Sequence, residues 1–273
     1  MPILELNQIS KQYRRATGRG AGKDQAFRAL DPTTISIEEG EFVTIVGPSG
    51  CGKTTLLKIV QGLVPPTTGE RIVEGRPVIG PSPSVATVFQ SAALFPWFNV
   101  LRNVRFGLDC AGLRKTEAEA RAQEEIARVG LAGFEKQFPH ELSGGMQQRV
   151  NLARAMAVSP KVLLLDEPYA ALDPQTRDDM QAELLRIWDL SRKTVLMITH
   201  QIDEAVYLSD RVLVMSPRPG RIVADVGIDL PRPRGLEVKH TPEFQQQVDD
   251  IWRKLRAVEQ ETSGQEASSA VMH

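Results

Sequence analysis

The chain has 273 residues, 41% hydrophobic and 25% charged, with a formal net charge of -1. That is room for one large α/β domain with a subdomain and a tail, and it leaves no global field to draw the chain to nucleic acid or anionic lipid. Two cysteines, Cys51 and Cys110, exclude a disulfide framework and a zinc site, and a reducing compartment is the simplest setting. Glu5 follows the start without an apolar run, so no signal peptide is expected. Apolar runs such as Val162 to Leu165 are far too short to span a membrane, so work at a membrane would require docking on other chains.

Ile3 to Asn7 alternates like a strand, and residues 14 to 25, with Arg14, Arg15, Arg19 and Lys23, read as a solvated basic loop. Phe42 to Val46 predicts a buried strand, followed by a glycine loop and a helix from about Gly52 to Gly62. Ala86 to Phe89 is another short strand. Thr116 with Glu119 fits a capping box opening a helix that runs to Val129. A further helix starts at Ser143, with Met146, Val150, Ala153 and Ala157 on one face. Val162 to Leu165 returns to strand. Asp173-Pro174 pairs an N-cap with proline at the first helical position, and that helix buries Met180, Leu184, Ile187 and Trp188. Thr194 to Ile198, Arg211 to Met215 and Arg221 to Val226 are strands, and residues 242 to 257 form an amphipathic helix. Alternating strands and helices predict an α/β fold with a mostly parallel sheet covered on both faces.

Gly47-Pro48-Ser49-Gly50-Cys51-Gly52-Lys53-Thr54 matches G-x-x-x-x-G-K-[ST] between a strand and a helix. Glycines there let backbone N–H groups converge on phosphate oxygens, and the helix N-terminus adds its positive end. Lys53 would neutralise phosphates, and the Thr54 hydroxyl would ligate Mg²⁺. Cys51 sits near the same helix start, where a thiol pKa can fall, and is expected to react with alkylating agents unless ATP protects it. Cys110 reads as a small buried hydrophobe. Asp166 and Glu167 end an apolar strand. Asp166 fits a Mg²⁺ ligand, and Glu167, pointing differently, fits a base for water attacking a γ-phosphate. Leu142-Ser143-Gly144-Gly145-Met146-Gln147-Gln148-Arg149 opens a helix. Ser143 there is either a plain N-cap or part of a second anion site, which one chain would not need for one ATP.

Taken together, GPSGCGKTT, Gln90, LSGGMQQR, LLLDEP, Leu172-Asp173 and His200 resemble the ATPase subunit of an ABC transporter over roughly residues 3 to 226. The resemblance implies a P-loop NTPase core of RecA-like type, with an N-terminal antiparallel β part and an inserted α-helical subdomain. It implies that ATP is sandwiched between two copies, each offering Ser143, Gly144 and Gly145 to the nucleotide of the other. By similarity Tyr13 stacks on adenine, although the residue alone reads as a surface tyrosine. Thr55 belongs with the phosphate loop, Gln90 touches Mg²⁺ and the attacking water, and Asp173 lies across the dimer interface. His200 would contact the γ-phosphate, although a lone histidine at a strand end is more often structural. Met146, Ala170 and Gln201 depart from the commonest family pattern without removing a catalytic group.

Ser216 to Ile222, GLVPPTTGE, FPHELSGGMQQR and the stretch beginning TPEF resemble importer ATPases for nitrate, sulfonate, taurine and related solutes. The partners so implied are polytopic permease subunits, a second copy of the chain and, indirectly, a periplasmic or extracellular solute-binding protein, at the cytoplasmic face of the inner membrane. No nucleic-acid partner is expected. The aromatic run Ala92 to Phe98 either receives a permease helix or packs inside the helical subdomain. The expected organisation is an ATPase domain over 1–230 with its subdomain at 91–157, an extension over 231–258, and a disordered tail over 259–273. The competing readings are a lipid or export system and a non-transport switch, of which the switch usually carries a long coiled-coil insertion or a second ATPase cassette, neither expected here.

Overall fold

The computed structural model describes residues 1–14 and 26–270. Arg15, Arg19 and Lys23 of the basic loop therefore lie outside the described residues, and Arg14 ends a strand. The central sheet has six strands in the order β10-β9-β3-β8-β7-β6. Its members are β3 (Phe42–Val46), β6 (Val85–Val88), β7 (Val162–Asp166), β8 (Thr194–Thr199), β9 (Arg211–Met215) and β10 (Ile222–Gly227). All pair parallel except β10, which closes the edge antiparallel to β9.

Runs such as FVTIV and TVLMIT show no polar alternation because both faces are covered. Alternate residues enter opposite cores. Phe42, Leu163, Val195 and Val212 pack on one face, and Val43, Leu164, Leu196 and Leu213 on the other. The second face is covered by α1 (Lys53–Gln61) and by an antiparallel sheet, β2-β1-β4-β5. That sheet comprises β1 (Pro2–Arg14), β2 (Ala26–Glu38), β4 (Thr68–Val73) and β5 (Arg76–Pro77).

The first face carries the remaining helices: α2 (Val100–Cys110), α3 (Lys115–Arg128), α4 (Gly144–Ala157), α5 (Pro174–Ser191), α6 (Ile202–Leu208) and α7 (Pro242–Ala270). Two local expectations are corrected. Helix α3 already begins at Lys115 behind an extended Arg114 and has no side-chain cap, so Thr116 sits inside the first turn and forms no capping box. Cys110 is exposed, because α2 turns Val104 and Leu108 inward and a residue two beyond Leu108 falls on the far side of the helix. Trp188 of α5 has two cations against its ring, the guanidinium carbons of Arg192 and Arg232 lying 4.6 and 4.2 Å from its centre.

The chain after β10 is bound to the core by buried arginine. Arg234 donates to the carbonyls of Val206 (3.1 Å), Tyr207 (3.0 Å) and Ser209 (2.7 Å) at the end of α6. Those carbonyls have no helical partner of their own. Burial, with Arg232 beside it, lowers its pKa to about 10. Lys239 donates to Gln181 Oε1 (2.7 Å), Gln181 donates to Glu204 Oε1 (3.3 Å), and Thr199 donates to Glu204 Oε2 (2.5 Å), which ties this segment to the end of β8. Phe244 and Ile251 of α7 enter the core. The helix continues to Ala270, past residue 258, and residues 271–273 lie outside the described residues. Among the described residues no helix is long and apolar enough to cross a membrane.

Candidate functional site

The groups of interest gather where the parallel strands end at their carboxyl edge, the usual ligand edge of an open α/β sheet. Val46 pairs with Thr199, Ile198 with Asp166, and Leu165 with Val88. The residues that follow line up across neighbouring strands. The phosphate loop leaves β3, His200 leaves β8, Glu167 leaves β7, and Gln90 stands two residues past β6.

The loop needs its glycines. Gly50 and Gly52 hold φ of 73° and 115°, a region that side chains with a Cβ avoid. A methyl group on Gly52 would lie 2.7 Å from Leu30 Cδ2 and 2.9 Å from Ala29 O. One on Gly47 would lie 2.9 Å from Met215 O. Lys53 is buried and its ammonium donates to Gly47 O (2.7 Å) and Pro48 O (3.0 Å), so the loop curls around its own cation. Ser49, Gly50 and Thr54 are exposed, and Thr55 follows half-buried in the first turn of α1. The lowered thiol pKa expected of Cys51 is corrected. Cys51 is 1% exposed, and burial pushes its pKa up against the lowering effect of Lys53.

Asp166 is half-buried, and its carboxyl is pushed up by desolvation and then by Glu167, with Lys58 opposing. Glu167 takes φ of 43°, uncommon for a residue with a side chain, and its N–H donates to Ile198 O (3.0 Å). That backbone sends the two adjacent acids different ways. Glu167 Oε2 lies 2.9 Å from His200 Nδ1. With the carboxylate ionised, the ring N–H donates to it. Gln201 accepts from Arg177 Nη1 (3.1 Å), and Arg177 Nη2 donates to Leu172 O (2.8 Å), so the residue after His200 is tied to the one before Asp173.

A second cluster lies on the helices. Ser143 caps α4, its Oγ accepting from Met146 N (3.3 Å). A methyl on Gly144 would stand 3.7 Å from Leu172, and one on Gly145 3.2 Å from Thr176. Asp173 caps α5 by accepting from Thr176 N (3.0 Å). That backbone bond first, and a Thr176 side-chain bond second, hold its carboxyl below the usual range. Ser143, Gly145, Arg149 and Thr176 line a cavity of about 330 Å³. Among the described hydrogen bonds, none joins this cluster to residues 47–55. Tyr13 stands at the far end of β1, 38% exposed, with Lys11 Nζ 5.1 Å from its ring centre.

One set of residues escaped sequence reasoning. Helix α4 grips the segment holding Gln90 through three side chains. Gln148 donates to Gln90 O (2.6 Å), Asn151 to Phe89 O (3.1 Å), and Arg154 to Ala92 O and Ala93 O (both 2.9 Å). The helix that begins at Ser143 is thereby fastened to the segment leaving β6. Gln148, Asn151 and Arg154, recurring every third position among the apolar residues Val150, Leu152, Ala153 and Ala155, were the available signal. Beyond Gln90, the aromatic run packs on itself, Phe95 lying 4.7 Å from Phe106 and 5.6 Å from Phe98 between ring centres, while Trp97 stays 67% exposed.

As for a cation, Thr54, Gln90 and Asp166 offer hard oxygen donors, and desolvation with an adjacent acid leaves the Asp166 carboxylate in want of a positive charge. No group of three or more His, Cys, Asp or Glu that could hold a metal occurs among the described residues. A single carboxylate with neutral oxygens fits Mg²⁺, which keeps waters and shares phosphate oxygens rather than filling a protein cage.

The family model described as ABC transporter matches residues 30–170. An uncharacterised ABC transporter ATP-binding protein of Methanocaldococcus jannaschii is 50% identical over 84% of this chain and 88% of its own. A taurine import ATP-binding protein of Roseobacter denitrificans is 40% identical over 99% of this chain and all of its own, 100%. Among solved structures, cbiO1 from Clostridium perfringens, part of an ABC transporter complex, superposes with a TM-score of 0.73 at 27% identity, covering 91% of this chain and 94% of that one. A dimeric ATP-binding cassette bound to ADP and phosphate superposes with a TM-score of 0.69 at 30% identity, covering 85% of this chain and 100% of that one.

Proposed function

From the premise that this chain belongs to the family of ABC transporter ATP-binding proteins, we propose that it is the ATP-hydrolysing subunit of an importer for a small solute of the taurine, sulfonate or nitrate kind. Its likeness to taurine import ATP-binding proteins, 40% to 48% identical, supports that solute class. The observation that carries the hydrolytic reading is the Glu167–His200 contact of 2.9 Å, one strand away from the phosphate loop.

In this reading ATP lies along Gly47 to Thr55, with Tyr13 against adenine. Lys53 leaves its own loop's carbonyls for the phosphates. Thr54, Gln90 and Asp166 would hold Mg²⁺, which would supply positive charge to neutralise the phosphates. Glu167 orients the attacking water and takes its proton, and His200 holds that carboxylate in place. Positioning and charge stabilisation supply most of the rate in phosphoryl transfer. Ser143, Gly144, Gly145 and Asp173 serve the nucleotide of a second copy, packed head to tail. The similar cassette that is dimeric and bound to ADP and phosphate supports the pairing of two copies. Residues 1–230 are then the ATPase domain, 91–157 its helical subdomain and 231–258 an extension. The chain sits peripherally at the cytoplasmic face of the inner membrane, on polytopic permease subunits served by a solute-binding protein.

The test is uptake in cells lacking the chain, complemented with wild type or Glu167→Gln. One of taurine, an alkanesulfonate, nitrate or a pyrimidine precursor is expected to enter only with wild type. No change in any of them would overturn the importer reading. Purified Glu167→Gln is expected to bind ATP and run as a dimer by size-exclusion chromatography. ATP binding without dimerisation at high concentration would count against the shared site.

A further inference from the structure

The turn between β9 and β10 is fastened beside the phosphate loop. Gly220 N donates to Ala29 O, and Asp31 N donates to Gly220 O, both at 3.0 Å. A methyl group on Gly220 would stand only 2.1 Å from Cys51 O, so backbone lies directly on backbone. The residues just before Gly220 are therefore held at the rim of the loop. Arg218 among them is exposed, and its guanidinium carbon lies 4.2 Å from the centre of the Phe27 ring. Stacking of this kind fixes the plane of a guanidinium and leaves its edge N–H groups free to donate. Among the described residues, no hydrogen bond or ion pair engages that guanidinium.

Two neighbours locate it. A methyl group on Gly50, near the apex of the phosphate loop, would be 3.7 Å from Arg218 Nη2. Phe27 is paired with Tyr13 across the β1–β2 ladder, and directly opposed residues of an antiparallel pair project from the same face. The cation thus stands between the aromatic end of that ladder and the loop. A nucleotide with its base at Tyr13 and its phosphates at Lys53 must cross this interval.

We propose that Arg218 is a nucleotide-binding residue, a stacked cation that donates to the phosphate chain of ATP from outside the loop, at the end nearer the base. Lys53 serves the same chain from within. The inference rests on the placing of ATP along Gly47 to Thr55 in the proposed function. It gives the turn Ser216 to Ile222 a chemical task beyond reversing the chain.

The test is equilibrium binding of ATP to the full chain, at low and physiological salt, with thermal unfolding to show that each variant is folded. Arg218→Ala is expected to weaken binding about tenfold, the scale of one hydrogen-bonded charge at a solvent-exposed site. The loss should shrink as salt screens it. Arg218→Lys should recover part of it, and Phe27→Leu, which keeps the cation without its platform, should lose less. Arg221→Ala, exposed on the same turn, should stay within twofold of wild type. Binding by Arg218→Ala within twofold of wild type would overturn the proposal. An equal loss in Arg221→Ala would also overturn it, by showing a general charge effect. A wild-type chain with no affinity for ATP would overturn the placing of ATP itself and this inference with it.

Discussion

Asp166 is held where both burial and the neighbouring Glu167 disfavour its charge. Its folded pKa lies above the unfolded value, so the folded chain binds this proton more tightly than the unfolded one. Stability is then lost as pH rises from the unfolded value, about 4, through the raised one. Asp166→Asn keeps the shape and removes the charge. It is expected to raise Tm by a few degrees at neutral pH, to lose that gain as pH falls to about 4, and to abolish ATP hydrolysis. Thermal unfolding across that pH range, beside an ATPase assay, checks it. Cys51 shows the limit of reading a single residue from its neighbours in sequence. A helix start lowers a thiol pKa, but the packing of the loop against Gly220 and Met215 buries the sulfur, and desolvation wins.

Between residue and molecule stands the grip of α4 on residues 89–93. Asn151 is fully buried, and its amide donates to Phe89 O (3.1 Å) and to Gln148 Oε1 (3.0 Å). Asn151→Leu is expected to cost about 2 kcal/mol, because it strands a carbonyl and an amide oxygen in the interior. ATP binding should persist while hydrolysis falls, since the segment bearing Gln90 loses its anchor; urea unfolding and steady-state kinetics separate the two effects. Elements differed in how far the sequence disclosed them. β3, β7 and β8 were plain from continuous β-branched and leucine runs, and α5 from Asp173-Pro174. β2 was missed because its buried positions, Ala29, Leu30, Thr33, Ile35 and Ile37, include a threonine and are interrupted by Pro32. Only its pairing with β1 makes it a strand. At seven residues, α6 is too short to show a helical period. The residues at the strand ends were nameable from motifs, but that they fall on neighbouring strands depends on the crossover order β3-β8-β7-β6, which no local pattern carries.

For the molecule as a whole, the two cores on either side of the central sheet account for the unbroken apolar strands, and the segment after β10 closes one of them. Arg234 is central to that closure, since it satisfies the last carbonyls of α6. Arg234→Met fills similar space without donating, and is expected to cost about 2–4 kcal/mol, read as a lower urea midpoint with an unchanged slope. ATP affinity should stay near wild type, because Arg234 sits under α6 and away from the phosphate loop. The three tryptophans occupy three different settings. Trp188 is enclosed by Arg192, Arg232 and Phe42, while Trp97 ahead of α2 and Trp252 on α7 are open to solvent. In optical terms the chain carries a built-in division of labour. Emission from Trp188 is shielded from dissolved quenchers until the domain unfolds, whereas Trp97 and Trp252 are open to them in the folded state, so a collisional quencher sorts signals of unfolding from signals of contact at the surface.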